Sequence, residues 1–454
     1  MLGHNITEFI NEEIAASVNG LKLISGQDIP ADYTHDEFGS GLPHLPDAAV
    51  EASCTNEVSQ IMKACFKAGV PVTVRGAGTG KAGGSVPLEG GLVLSLKGMN
   101  EIISFDEHSQ TLQVQPGVLL QDIKAEAAKH GLSYPPDPGE QTATIGGNAS
   151  TNASGPSALK YGKTLDYVVD AAIVLAGGEI VKLSDRDEYK SILGSEGTLG
   201  IITELTLKLV KRPSKDVILL LPFADTESCI NAALRLRTFE PSALEYLDTD
   251  IVEFSGNVTG NPVFPVETDG ERVEATLMLQ LEGDSDDELD ELMEAIAELS
   301  EELECLDILV VDTPTLKREV WAAHDAFHSS MESAPSEGEI NVNVPPESVA
   351  EFVRHAKAAA GEGIKAMAYA HVGSGGVHVH LVSQLPKDEF AGKFAVLAEA
   401  VCKACLELGG DPVGEYGVGY SKKPYLSEDK REKFKMMKAE LDPKGILNPG
   451  KVAD

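Results

Sequence analysis

Three glycine-rich segments limit what this chain can fold into more than any other feature. They are VRGAGTGKAGGSVP (Val74 to Pro87), PPDPGEQTATIGGNASTNASGPSALKYGKTLDYV (Pro135 to Val168) and LGSEGTLGIITELTL (Leu193 to Leu207). Glycine reaches positive φ and puts no side chain in the way, so such loops let backbone N–H groups converge on a phosphate-sized anion. The first is not a dinucleotide-binding GxGxxG, which opens a helix directly after a strand, because it leads into GGLVLSL, another strand pattern. A nucleotide-binding P-loop is also excluded, since the GK[S/T] ending is absent. The second segment combines small residues with a pair of asparagines and two tyrosines, neutral groups that suit a flavin ring or ribityl chain better than a metal or a nucleic acid. Any one segment alone leaves an ordinary glycine-rich loop as the lesser reading; together they argue for one shared ligand.

The rest of the chain places these loops. At 454 residues, 42% of them hydrophobic, it is too long for one compact core and long enough for two or three domains. From about residue 50 to 210, helical stretches such as EVSQIMKACFKAGV alternate with β-branched runs such as PVTVRG, TLQVQPG and GIITELTLKLV. Between about 215 and 400 the glycine loops thin out. Acidic-faced helices, notably GDSDDELDELMEAIAELSEELECL, then lie between strands such as DVILLLPF, VEATLMLQLEG and EINVNVPP, a second sheet-plus-helix domain. Glycine motifs return in GEYGVGYSKKPYL and LDPKGILNPGKV, so the tail is expected to pack back on the first domain. The expected divisions are an N-terminal helical segment at 1–44, a cofactor domain at 45–213, a second domain at 214–410 and a returning segment at 411–454.

The formal charge of −35 repels nucleic acid and anionic lipid. It serves solubility or docking to a basic partner, and it obliges an anionic substrate to be collected by a local positive site. No apolar run is long enough to span a membrane, and the N-terminus carries acids where a signal peptide carries lysines, so a cytoplasmic location is expected. The six cysteines are scattered. Cys402 and Cys405 form a CxxC inside a helical pattern with no second pair, which reads as two core or surface thiols before redox or metal use. No four-cysteine cluster for an iron–sulfur centre is present, so electrons leaving a flavin go to another protein, a quinone or oxygen.

The three loops, in this order, resemble the FAD-binding domain of the vanillyl-alcohol oxidase and p-cresol methylhydroxylase superfamily. Within it the chain is similar to D-lactate dehydrogenases, the glycolate oxidase FAD subunit and D-2-hydroxyglutarate dehydrogenases, over roughly residues 45 to 454. The resemblance implies an α+β fold: a two-subdomain FAD-binding domain of the p-cresol methylhydroxylase type, and an antiparallel-sheet-and-helix cap (substrate) domain. It places the FAD phosphates on Arg75, Gly76, Ala77, Gly78, Thr79 and Gly80, with Ser85 at the end of the loop. The flavin is set against Pro138, Gly139, Thr144, Gly146, Gly147, Asn148, Asn152 and Ser154, and the adenine side near Glu196, Gly200 and Ile201. Asn448 would close over the isoalloxazine. No histidine or cysteine in these loops stands where a covalent flavin link is expected, so the FAD is expected to be dissociable.

YAHVGSGGVHVHLV sets His371 and His378 on either side of a glycine turn, with His380 on the same strand face as His378. Neutral imidazoles brought together by a tight turn are good ligands for a divalent ion, and equally are ordinary paired structural histidines. The resemblance favours the metal and implies Glu415, in GEYGVG, as third ligand; zinc, iron and manganese are not distinguished. Such an ion would bind the hydroxyl and carboxylate oxygens of a small D-2-hydroxy acid, with hydride passing from its α-carbon to flavin N5.

Three positions depart from the family pattern. Tyr416 stands where relatives carry a general-base histidine, and a phenol with an ordinary pKa near 10 is a poor base. His380 or water is then an alternative acceptor. His324, in VWAAHDAF, stands where relatives carry an arginine that clamps the substrate carboxylate. Ser374 and Gly376 change the turn. Lys422 and Lys423 remain as nearby cations, read first as solvated surface lysines. The expected activity is a metal-assisted, FAD-dependent D-2-hydroxy-acid dehydrogenase passing electrons to a protein acceptor such as an electron-transfer flavoprotein. An oxygen-using alcohol oxidase of the same fold, or a flavin-binding subunit with little turnover of its own, are the alternatives. The sequence leaves oligomeric state open, a homodimer included.

Overall fold

The computed structural model describes residue 21 and residues 23–38, 43–414 and 416–453. Residues 1–20 of the expected N-terminal helical segment lie outside the described residues, as does Glu415. The described part of that segment holds a short strand, β1 (Leu23–Ser25), and two 3-10 turns rather than a helix. The chain divides into two compact units, Met1–Ala153 with Lys163–Arg212 and Tyr416–Asp454, and Ser154–Gly162 with Pro213–Glu415.

Among its described residues the first unit holds two larger sheets and a two-stranded pairing of Leu132–Ser133 with Val210–Lys211. In one, β2 (Ala48–Glu51), β3 (Val72–Arg75) and β4 (Leu92–Ser95) run parallel, with β4 central and β1 antiparallel at the edge of β2. Every residue of β4 is buried, as expected of a central parallel strand covered on both faces. The other sheet is antiparallel in the order β5 (Ile102–Asp106), β6 (Thr111–Val114), β9 (Ile201–Lys208), β7 (Val168–Val174), β8 (Ile180–Lys182). Helix α1 (Thr55–Ala68) buries Val58, Ile61, Met62 and Cys65, one stripe at helical spacing, against Val50, Val72, Leu92 and Leu94. Each such side chain taken from water contributes roughly 1.5–3 kcal/mol. Residues 446–448 run beside β3: Val72 N–H donates to Ile446 O at 2.7 Å and Asn448 N–H to Val72 O at 2.8 Å.

The second unit is built on one seven-stranded antiparallel sheet. Its order is β13 (Leu309–Val311), β10 (Lys215–Phe223), β12 (Ala275–Gly283), β11 (Ala243–Asp248), β15 (Ile364–His371), β16 (Gly376–Ser383), β14 (Ser336–Asn343). Alternate residues face opposite ways. Tyr246 points to one face and meets Thr226 of α3 (Thr226–Leu236), hydroxyl to hydroxyl at 3.1 Å. On the other face Leu247, Met278, Met367 and Tyr369 pack with Ile251 of α4 (Thr249–Thr259) and with Val320, Ala323 and Phe327 of α5 (Pro314–Met331). Helix α5 begins where Thr313 Oγ1 accepts from Leu316 N–H and proline occupies the first turn. The expectation of an α+β fold is met. Cys402 and Cys405 are buried, reduced thiols on one face of α6 (Lys387–Glu407). Among the described residues no helix is long and apolar enough to cross a membrane.

Candidate functional site

In the first unit the three glycine segments converge. The loop after β3 lies against Thr144, the N-cap of α2 (Ile145–Thr151): a Cβ on Gly76 would stand 2.2 Å from Thr144 Oγ1. Gly197 faces Asn448 Nδ2 and Val74 at 3.0 and 3.5 Å from its would-be Cβ. Gly76, Ala77, Gly78 and Thr79 are half-buried and Gly80 is exposed, so the backbone of this loop is accessible to a ligand.

The side chains divide into those turned inward and those that remain candidates for contact. Arg75 is buried; its guanidinium donates to His35 O at 2.6 Å and Ser85 Oγ at 3.2 Å and lies beneath Gly78, whose would-be Cβ falls 1.9 Å from Arg75 Nη2. Burial lowers its pKa, opposed by the carboxylate of Asp36. Asp36 in turn accepts from Phe38 N–H, and burial raises its own pKa. Glu196, at φ 56, accepts from Val418 N–H at 2.6 Å and Gly419 N–H at 2.8 Å, and burial raises its pKa against those bonds. Asn448 is 1% exposed; its Oδ1 accepts from Val74 N–H at 3.0 Å and its Nδ2 donates to Glu196 O at 2.6 Å. Asn152 caps α2 at φ 50 and accepts from Leu165 N–H at 3.1 Å. Gly200 packs on Ile173 and Ile192, and Ile201 is a core residue. Gly146 packs on Pro116. These side chains hold the loops in place.

Asn148 differs: it is buried, and its Nδ2 has no hydrogen-bond partner among the described residues, nor does the buried Ser195 Oγ. A buried amide without a partner is rare and suits a ligand atom supplied from outside the chain. Gly139 and Gly147 are exposed and Pro138 half-buried. Ser154 belongs to the second unit. Orphaned donors beside glycine-lined backbone fit a cofactor such as FAD.

In the second unit the period of the strands assembles a polar cluster. Cross-strand register pairs Glu245 with His371, Tyr369 with His378, and Glu339 with His380, which puts all six on one sheet face. His371 Nδ1 lies 2.7 Å from Glu245 Oε2, and His378 Nδ1 lies 2.9 Å from Glu339 Oε1. The Tyr369 ring stacks on His378 at 4.4 Å and 3°. Helix α5 lays His324 and His328, four residues apart, over the same face: His324 Nε2 is 3.3 Å from Glu245 Oε2 and His328 Nδ1 is 3.1 Å from Glu339 Oε2. The turn between the strands is built on Gly375, at φ +79, where a Cβ would fall 2.0 Å from Val344 O.

Burial pushes the Glu245 carboxyl up, but His371 and His324 outweigh it and hold its pKa at about 2. Glu339 is likewise held well below the usual carboxylate range, by His328 and His378 against burial. Burial works to lower the His324 pKa, and hydrogen bonds that its ring N–H groups donate to Asp325 and Glu245 raise it overall.

His371, His378, His380 and His324 are thus brought together in the second unit. Tyr416 belongs to the first, at φ 64, with Lys81 Nζ 5.2 Å from its ring centre. Glu245, Glu339 and His328 were missed from sequence. Glu245 is an acid in the apolar run ALEYLD, and His328 falls one helical turn after His324; both were signals.

Residues 46–184 match the FAD binding domain family, and residues 212–452 the FAD linked oxidases, C-terminal domain family. The chain is 37% identical to D-lactate dehydrogenase of Anaerostipes hadrus, over 95% of this chain and 94% of that one. It is 35% identical to glycolate oxidase subunit GlcD of Bacillus subtilis, over 90% and 89%. In fold it matches p-cresol methylhydroxylase with substrate bound, TM-score 0.81 at 16% identity over 99% and 97% of the two chains. It also matches alkyldihydroxyacetonephosphate synthase, TM-score 0.77 at 19% identity over 98% and 85%. The glycine cradle and these matches together make the chain a member of the FAD-linked oxidoreductases of the D-lactate dehydrogenase and glycolate oxidase type.

Proposed function

We propose that this protein oxidises a small D-2-hydroxy acid of the D-lactate type to the 2-oxo acid, with a divalent ion assisting and a protein acceptor taking the electrons. The observation that carries the metal is the pair of carboxylates behind the histidines, Glu245 wholly buried and Glu339 nearly so. Glu245 on His371 Nδ1 and Glu339 on His378 Nδ1 favour the tautomers in which each Nε2 carries the lone pair, the usual outer support of a metal-ligating histidine. His371 and His378, with Glu415 as the expected third ligand, would hold the ion, whose chemistry is that of a Lewis acid toward the hydroxyl and carboxylate oxygens of the substrate. Bound FAD supplies the hydride-accepting ring.

The other residues act on protons and charge. His380, buried on the same sheet face, is the candidate acceptor for the hydroxyl proton, with Tyr416 the alternative. His324, whose pKa is raised, is the candidate cation for the substrate carboxylate. In the FAD unit the backbone of Gly76 to Gly80 would carry the phosphates and Asn148 Nδ2 would donate to the cofactor. An acidic surface suits docking of a basic acceptor such as an electron-transfer flavoprotein.

The test is anaerobic titration of the purified, metal-analysed protein with D-lactate, L-lactate, glycolate and D-2-hydroxyglutarate, following the flavin absorption band. Bleaching by one D-acid, lost in His378→Ala, is expected. A flavin that no acid bleaches would instead support the flavin-binding subunit reading, which His324 favours by bonding to Glu245 where a substrate clamp is expected. Hydrogen peroxide formed in air as fast as the acid disappears would support the oxidase.

A further inference from the structure

We infer a second divalent-cation position in the second unit, formed by His328, Glu339 and His380. It goes beyond the reading above, which places an ion on His371 and His378; with His380 as a ligand here, the hydroxyl proton of that reading passes to Tyr416 or water.

One ligand atom from each of the three residues lies within 4.8 Å of the other two. They arrive from three different elements: His328 from α5, Glu339 from β14, and His380 from β16, directly across the register from Glu339. Two imidazoles and a carboxylate are the donor set of zinc and neighbouring transition ions, with metal–ligand distances of about 2.0–2.2 Å. Tetrahedral ligand atoms at that distance stand roughly 3.3–3.5 Å apart, so closure asks for a contraction of up to about 1.5 Å, within reach of side-chain rotations.

Charge argues the same way. Glu339 has 10% of its side chain exposed, and its charged partners among the described residues are histidines. A divalent ion between Glu339, His328 and His380 would add to the counter-charge those histidines offer this nearly buried carboxylate. Access is provided by His328, whose side chain is 35% exposed, while His380 is fully buried.

Glu339 also couples the two positions. Its Oε1 is bonded to His378 Nδ1 and its Oε2 faces His328, so an ion on one side fixes the carboxylate that orients the ligand of the other.

The experiment uses the full-length, FAD-loaded protein, stripped of metal by chelation and titrated with Co(II). Cobalt per flavin and the visible cobalt bands are read for the wild type, His328→Ala, His328→Gln and His371→Ala, with flavin absorbance and near-UV circular dichroism checking the fold. Two ions per flavin in the wild type, falling to one in His328→Ala and His328→Gln, are expected. One ion that both His328 variants keep and His371→Ala loses overturns the second position and leaves the first standing. One ion lost in the His328 variants and kept in His371→Ala supports the position proposed here and overturns the first. A folded wild type that takes up no cobalt overturns both.

Discussion

Glu245 on β11 and His371 on β15 face each other across adjacent strands, Oε2 to Nδ1 at 2.7 Å, with the carboxylate wholly buried. The bond aims the imidazole and fixes which nitrogen holds the proton. Glu245→Gln is expected to weaken metal affinity by about 10- to 100-fold while FAD content stays the same. Competition with a chromogenic chelator measures it; unchanged affinity would remove Glu245 from the support of the metal.

Gly78 combines φ +85 with a would-be Cβ 1.9 Å from Arg75 Nη2. Alanine there must either displace the buried guanidinium or deform the loop, with strain on the order of 1–3 kcal/mol. Gly78→Ala is expected to purify with FAD depleted by tenfold or so, since 1.4 kcal/mol is a factor of ten. Gly177→Ala, with open space around its would-be Cβ, is the control and is expected to keep its flavin.

Asn448 ties Val74 N–H to Glu196 O through one side chain. Asn448→Ala leaves a donor and an acceptor without their partner, a loss of about 2–4 kcal/mol. Urea unfolding followed by flavin fluorescence is expected to show a lower midpoint with an unchanged slope. An unchanged midpoint would mean that water takes over both bonds.

Asp250 is ion-paired with Lys365 at 2.8 Å and Lys357 at 3.3 Å; burial pushes its pKa up, and those lysines more than offset it, leaving it below the ordinary 3.8. A carboxylate with a depressed folded pKa adds stability above its unfolded value, and loses it as pH falls toward the folded one. Asp250→Asn is therefore expected to lower the urea midpoint near neutral pH and to change it little at about pH 3. A difference that persists in acid would assign the effect to packing.

Much of the cofactor unit was legible because its constraint is local. The glycines after β3 and around α2 announce close backbone approach, and that is where the loops converge. Side-chain roles were less legible. Arg75 and Asn448 read as cofactor contacts, and what the sequence did not show is that their polar groups also bond to His35 O, Ser85, Val74 and Glu196, partners up to 374 residues away in sequence. Sequence spacing says which residues are near in the chain and nothing about which distant carbonyl will accept a bond.

The sequence by itself determined the two-part α+β organisation, the glycine cradle and the placing of His378 and His380 on one strand face, because strand period and glycine conformation are properties of neighbouring residues. Only the tertiary structure decided that Glu245, Glu339 and His328 stand behind and beside those histidines. Sheet register and helix packing bring β11, β14 and α5 to that face, and register is set by the fit of whole apolar surfaces rather than by any short motif.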